Sequence, residues 1–158
     1  AQKPLAMGGG VPIKGLIPGM AVHYAECCHP LPGDRIVGIA VPGRGLVIHT
    51  IDCDALSALG EDSDRWVDVS WDAGSGDAGP MVGRISLVVP NEPGSLGALS
   101  TVIAKNEGNI SNLKIVNRTP QFWEMTIDVE VRNVKHLTNV IAALRATPAI
   151  NSAERVRG

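Results

Sequence analysis

Between residues 123 and 131, Trp123, Met125, Ile127, Val129 and Val131 alternate without a break with Glu124, Thr126, Asp128 and Glu130. Strict alternation over that length describes a strand with one buried and one wet face, which needs a sheet covered on one side only. The flanking segments supply the cover. Ile85, Leu87 and Val89 alternate in an earlier strand, and Leu96, Leu99, Val102 and Ile103 then recur at helical spacing. Gly108 is expected to give that helix its left-handed stop. Another strand is expected over residues 110–117, turning near Thr119 and Pro120. Val134, Leu137, Ile141 and Leu144 mark a second helix with Asn133 as N-cap, and a last strand covers 150–156. The order βαββαβ predicts a ferredoxin-like unit of four antiparallel strands with two helices on one face.

The first half is built differently. Residues 73–80 are Gly, Ala, Ser, Asp and Pro with no apolar period, and read as a flexible linker. The expected division is an extended Gly- and Pro-rich segment at 1–19, a small domain at 20–72, a linker at 73–82 and the βαββαβ domain at 83–158. In the small domain, residues 35–40 and 45–49 flank the turn Pro42-Gly43-Arg44 and suggest a hairpin. Residues 53–59 are a short helix candidate closed by Gly60. Val67, Val69 and Trp71 alternate with polar residues as a half-buried strand. Five basic and ten acidic side chains fall in residues 1–80, against nine and six in 81–158. The first half is therefore too acidic for a general phosphate-binding surface, and 3% aromatics argue against stacking platforms for single-stranded nucleic acid. No apolar run approaches the roughly 20 residues needed to span a bilayer. A chain opening on Ala1 is expected to be part of something longer, and cytoplasmic.

Cys27 and Cys28 are adjacent, with His49 and Cys53 four residues apart downstream. Three thiolates and one imidazole would complete a closed tetrahedral Zn²⁺ site of the structural kind. Against it, neighbouring residues on a strand point to opposite faces, so Cys27 and Cys28 converge only across a bend; Pro30, Pro32 and Gly33 could provide one. The alternatives are small buried hydrophobes or thiol chemistry, although no Cys-x-x-Cys pair is present. His29 reads as a turn residue, and His23 and His136 as structural.

The run Cys27-Cys28-His29-Pro30-Leu31-Pro32-Gly33-Asp34-Arg35-Ile36-Val37-Gly38-Ile39, followed by residues 43–49 and Cys53, resembles the zinc-finger domain of long RelA/SpoT-type proteins, the bifunctional enzymes that make and degrade guanosine tetra- and pentaphosphate. The βαββαβ unit, with Val89-Pro90-Asn91-Glu92-Pro93-Gly94-Ser95-Leu96-Gly97 after its first strand, resembles the ACT domain that ends those proteins. Together the resemblances cover residues 11–158. They imply an α+β chain, a zinc-finger-type domain followed by an ACT domain, with Cys27, Cys28, His49 and Cys53 as zinc ligands and no alarmone chemistry of its own.

ACT domains are small-ligand sensors that pair with one another, so the resemblance implies an amino-acid ligand, a homodimer, and regulation of catalytic domains in the same chain. The turn Asn91, Glu92, Pro93, Gly94, Ser95, Leu96 and Gly97 opens a helix, where unpaired N–H groups and the positive dipole end suit a carboxylate. Asn91 could hold the ammonium group. Asn109, Ile110 and Ser111 of a second copy would form the other wall. The lining offers Leu96 and Ile110 and no charge beyond Glu92, so valine, isoleucine or leucine is the expected ligand. The resemblance also implies ribosome contact as an alternative, to which Arg35 and Arg44 could contribute, and an independent thiol enzyme is the third reading.

Overall fold

The computed structural model describes residues 13–59, 63–72 and 81–156, and these fall into two compact units, the first within 13–72 and the second 81–156. The expected linker at 73–80, the expected helix stop at Gly60 and most of the segment 1–19 lie outside the described residues.

In the first unit the strands are β1 (Ile13–Lys14), β2 (Val22–Tyr24), β3 (Ile36–Val41), β4 (Gly45–Thr50), β5 (Trp66–Val67) and β6 (Ser70–Trp71). Two 3-10 helices, Asp54–Leu59 and Ser63–Arg65, lie between β4 and β5. The expected hairpin forms: β3 and β4 pair antiparallel from Ile36↔Thr50 to Val41↔Gly45. β2 runs parallel to β4 and β5 pairs with β3, giving the order β2-β4-β3-β5. Both faces of this sheet are covered. Val37, Ile39 and Val47 pack with Ala25, Cys28, Cys53 and Leu56, whereas Ile36, Leu46 and Ile48 pack with Ile13, Val22 and Val69. Burial on both sides explains why β3 and β4 read as continuous apolar runs rather than as alternating ones.

Two details differ from the sequence expectation. The alternating stretch Val67–Val69–Trp71 is not one strand; β5 pairs with β3, and β6 leaves to pair with β1 as Ile13↔Trp71. Alternation reports which side of a chain is buried, and it carries no information on the pairing partner. As a result Ile13 and Lys14, from the segment expected to be merely extended, belong to the paired structure.

The second unit consists of β7 (Met81–Pro90), α1 (Ser95–Lys105), β8 (Asn109–Arg118), β9 (Phe122–Val131), α2 (Val134–Arg145) and β10 (Ser152–Val156). Its sheet is antiparallel throughout with the order β10-β7-β9-β8, the ferredoxin-like arrangement. β7 begins at Met81, inside the stretch assigned to the linker. Ile85, Leu87 and Val89 of β7 and Met125, Ile127, Val129 and Val131 of β9 are buried, as are Leu99 and Ile103 of α1 and Leu137, Val140, Ile141 and Leu144 of α2.

The end of α1 corrects another expectation. The left-handed residue is Glu107 (φ 64°), not Gly108. The N–H groups of Glu107 and Gly108 donate to the Ala104 and Ile103 carbonyls at 3.1 and 2.9 Å, which closes a Schellman turn. Glycine is needed at 108 because a Cβ there would lie 2.9 Å from both Ile103 Cγ2 and Val129 Cγ1. The α2 start matches expectation: the Asn133 side chain accepts from the His136 N–H at 2.8 Å. His136 is buried; its Nδ1 accepts from the Arg132 N–H at 3.0 Å, so Nε2 carries the proton donated to the Asn106 carbonyl at 2.7 Å. Replacing Asn133 by alanine should therefore lower unfolding free energy by about 1 kcal/mol in chemical denaturation, with unchanged m-value.

Candidate functional site

β2 ends at Tyr24 and the chain then makes a single helical turn, closed by the His29 N–H on the Ala25 carbonyl at 3.1 Å. In a helical turn successive side chains diverge by about 100° rather than 180°, so the adjacent Cys27 and Cys28 can face one point. His29, at φ 47°, ends the turn, and the Asp34 carboxylate closes the next loop by accepting from the Leu31 N–H at 2.8 Å. His49 lies on β4 opposite Val37, on the face that carries Cys28. A turn in which the Cys53 N–H donates to the Thr50 carbonyl at 3.1 Å brings Cys53 back to the same place.

The structure thus brings all four sequence candidates together. Cys27 Sγ lies 3.4 Å from both His49 Nδ1 and Cys53 Sγ, Cys28 Sγ lies 3.9 Å from His49 Nδ1, and all four ligand atoms are within 4.8 Å of one another. A tetrahedron with zinc–ligand bonds of 2.0–2.3 Å has edges of about 3.5–3.8 Å, so the donor set fits a four-coordinate ion. Cys28 and Cys53 are buried and Cys27 is exposed. The Thr50 N–H donates to Cys28 Sγ at 3.3 Å, an orienting contact that sequence reasoning did not identify because a backbone donor leaves no mark on residue type. Partial desolvation beside the cluster, the hydrogen bond with Cys53 and the neighbouring sulfurs push the Cys27 thiol up to about 12. Burial also raises Cys28, against the opposing Thr50 N–H, and lowers His49. Without an ion the folded state thus favours the protonated Cys27 and Cys28 thiols and the neutral His49 imidazole, and a cation that binds there as to thiolates displaces protons.

The second candidate site is the turn between β7 and α1. Asn91 is anchored by its N–H to the Gln121 carbonyl and by Nδ2 to the Thr119 carbonyl, both at 2.9 Å, which leaves Oδ1 as the acceptor. Ser95 is buried, with its hydroxyl donating to the Pro90 carbonyl at 2.8 Å, so its side chain holds the turn together and is not offered to a ligand. Gly94 (φ 90°) starts α1 without a side-chain cap, and a Cβ at Gly94 or Gly97 would meet nothing within 4 Å. Glu92, Pro93 and Leu96 are exposed around this open helix end.

Asn109, Ile110 and Ser111 are not near it. Asn109 pairs with Glu130 on β9, whereas Pro90 pairs with Phe122, eight positions away. At about 3.3 Å per residue that is about 25 Å, the full length of the sheet. Asn109 donates to Glu130 Oε1 at 2.7 Å and Ser111 to the Asp128 carbonyl at 3.3 Å. Arg35 and Arg44 are exposed just outside the two ends of β3 and form no shared patch. No helix among the described residues is long and apolar enough to cross a membrane.

Comparison with known proteins agrees with both halves. Residues 11–72 match the RelA/SpoT RIS domain and residues 80–155 the ACT domain. The GTP pyrophosphokinase rsh of Brucella ovis is 42% identical over 148 residues, which are 94% of this chain and 20% of the relative. The bifunctional (p)ppGpp synthase/hydrolase SpoT of Escherichia coli K12 is 30% identical over 149 residues, 94% of this chain and 21% of that protein. The crystal structure of the ACT domain from a Chlorobium tepidum GTP pyrophosphokinase aligns with 49% of this chain and 99% of its own at 22% identity and a TM-score of 0.42. The chain thus spans about one fifth of the length of the curated relatives it matches. A thiol-rich small domain followed by a ferredoxin-like one, matched in that order, makes this chain a member of the RelA/SpoT family, comprising its RIS and ACT regulatory domains.

Proposed function

We propose that the chain is the non-catalytic sensory end of a cytoplasmic bifunctional (p)ppGpp synthetase/hydrolase, and that its ACT domain binds a branched-chain amino acid. The observation that carries the reading is the uncapped start of α1 at Gly94, open to solvent beside the Asn91 Oδ1. The first N–H groups of a helix have no intrahelical partners, and the dipole there favours a carboxylate. Asn91 Oδ1 takes the ammonium group, and exposed Leu96 receives a small aliphatic side chain. Binding shifts the balance of synthesis and hydrolysis by no more than the ligand's difference in affinity for the two whole-protein arrangements.

The missing wall comes from a second copy. β8 is an edge strand of ten residues with Leu113, Ile115 and Val116 exposed, and an edge of that length and character invites pairing. Antiparallel pairing of β8 with itself about a twofold axis carries one copy's Asn109–Ser111 toward the other's Arg118, the end of the sheet where the 91–97 turn lies. Val116→Lys should then give a monomer by light scattering and weaken valine binding in calorimetry at least tenfold. A dimer that survives, or binding indifferent to the loss of the dimer, rejects this arrangement. Gly97→Val, in the exposed first turn of α1 where a Cβ meets nothing within 4 Å, should abolish binding without unfolding the domain; if no branched-chain amino acid gives heat with the folded wild type, the sensor reading is wrong.

The Cys27–Cys28–His49–Cys53 group holds Zn²⁺ in this reading, as a closed structural site with no position for substrate. Ribosome docking is the second reading, and the separation of Arg35 from Arg44 confines it to isolated phosphate contacts. Co-sedimentation with ribosomes that is unaffected by Arg44→Ala or by salt would remove Arg44 from it.

A further inference from the structure

Beside the Cys/His cluster lies a cleft of about 340 Å³ lined by Ile39, Val41 and Val47 together with Glu26, Arg44 and Arg65. An apolar lining with a few placed charges is the make-up of a small-molecule site. The two arginines come from different elements. Arg44 sits in the β3–β4 turn, its N–H on the Val41 carbonyl and its own carbonyl accepting from His23 Nε2, each at 3.0 Å. Arg65 ends the second 3-10 helix, and its Nε donates to the Ala40 carbonyl at 3.2 Å, which fixes the guanidinium against β3. Together with Val41 they are the wall shared with a shallower groove of about 610 Å³.

Charge and shape narrow the occupant. Arg65, tied through Nε to Ala40, presents its terminal nitrogens for a carboxylate, and Arg44 adds positive charge to the same wall. A phosphate dianion would press its second charge on Glu26 and on the three sulfurs, so a monoanion fits better. The aliphatic lining calls for a compact hydrocarbon body. We propose that this cleft of the RIS domain binds a small aliphatic carboxylate, held by Arg65 with Arg44 beside it and with its hydrocarbon against Val41 and Ala55. Because the exposed Cys27 and half-buried His49 line the same cleft, an occupant also shields the open side of the metal centre. The site is independent of the ACT turn.

The test uses isovalerate, which lacks the ammonium group required at Asn91, titrated into the zinc-loaded 158-residue chain. Amide NMR shifts at Glu26, Gly45 and Arg65 should saturate, and zinc transfer to a chromogenic chelator should slow severalfold. Arg65→Ala should weaken binding about tenfold or more. Ala55→Phe, at an exposed position lining the cleft, should block it without touching the core, so that a folding defect in Arg65→Ala does not decide the outcome. Gly97→Val should leave isovalerate binding intact, which separates this site from the ACT reading. Absence of saturable shifts at those amides, or binding retained in both Arg65→Ala and Ala55→Phe, overturns the proposal.

Discussion

With zinc held by the cluster as proposed, Cys28→Ser should release it and unfold the first unit while the ACT domain stays folded. Cys28 is fully buried, meets the Thr50 N–H and packs with Val37, Ile39 and Val47, so the cluster and the core on that face of the sheet are one structure. That core is small, and structural zinc in finger-sized domains contributes roughly 10–16 kcal/mol of apparent binding free energy, which is folding free energy where no site exists in the unfolded chain. Trp71 reports the first unit: it stacks on Tyr24 at 5.9 Å and donates to the Asp34 carbonyl at 2.9 Å. The expected result is no bound zinc by elemental analysis and loss of the Tyr24–Trp71 near-ultraviolet signal, with the melt of β7–β10 retained. Zinc lost with that signal unchanged would show that the ion is dispensable for folding.

The two metal states share an acid-side loss of stability and differ on the alkaline side, where only the metal-free form loses it. With zinc bound, protons compete for three sulfurs and one imidazole, so stability falls as pH falls. Without it, the Cys27 thiol is raised from 9.0 to about 12, meaning that the folded state favours the protonated form. That contribution is complete below about 9 and is lost as pH rises toward 12. His49 is lowered from 6.5 by burial, so its contribution is present above 6.5 and lost as pH falls. The metal-free first unit should therefore be most stable between about 6.5 and 9, and denaturation midpoints across pH with and without chelator check the alkaline-side difference.

Gly45→Val should cost the first unit about 3 kcal/mol or more, from backbone strain together with overpacking. At φ 112° no L side chain is comfortable, and a Cβ would run into the Ala21 carbonyl oxygen. That oxygen accepts the Leu46 N–H at 2.8 Å, the first bond of the parallel β2–β4 pairing. β4 carries His49, so zinc affinity should fall along with stability. Equilibrium unfolding followed through Trp66 and Trp71 fluorescence in a Trp123→Phe background measures it; a loss below 1 kcal/mol would mean that the β2–β4 edge shifts freely and does not position the ligand.

The ferredoxin-like domain is legible in the residue pattern, because each of its elements carries its own period: alternate burial in β9, helical spacing in α1 and α2, an Asn cap at 133. These are local consequences of chain geometry and survive without knowledge of partners. Residue type also singled out four metal-ligand candidates. How adjacent cysteines converge, through the helical turn closed by His29, and which sheet Trp71 joins emerge only when the chain packs. Packing also placed Arg65 beside Arg44, 21 positions earlier, and set Asn109–Ser111 at the far end of the sheet from Gly94. Residue pattern encodes which face of a segment avoids water, while partners, register and the meeting of distant side chains depend on how whole elements pack.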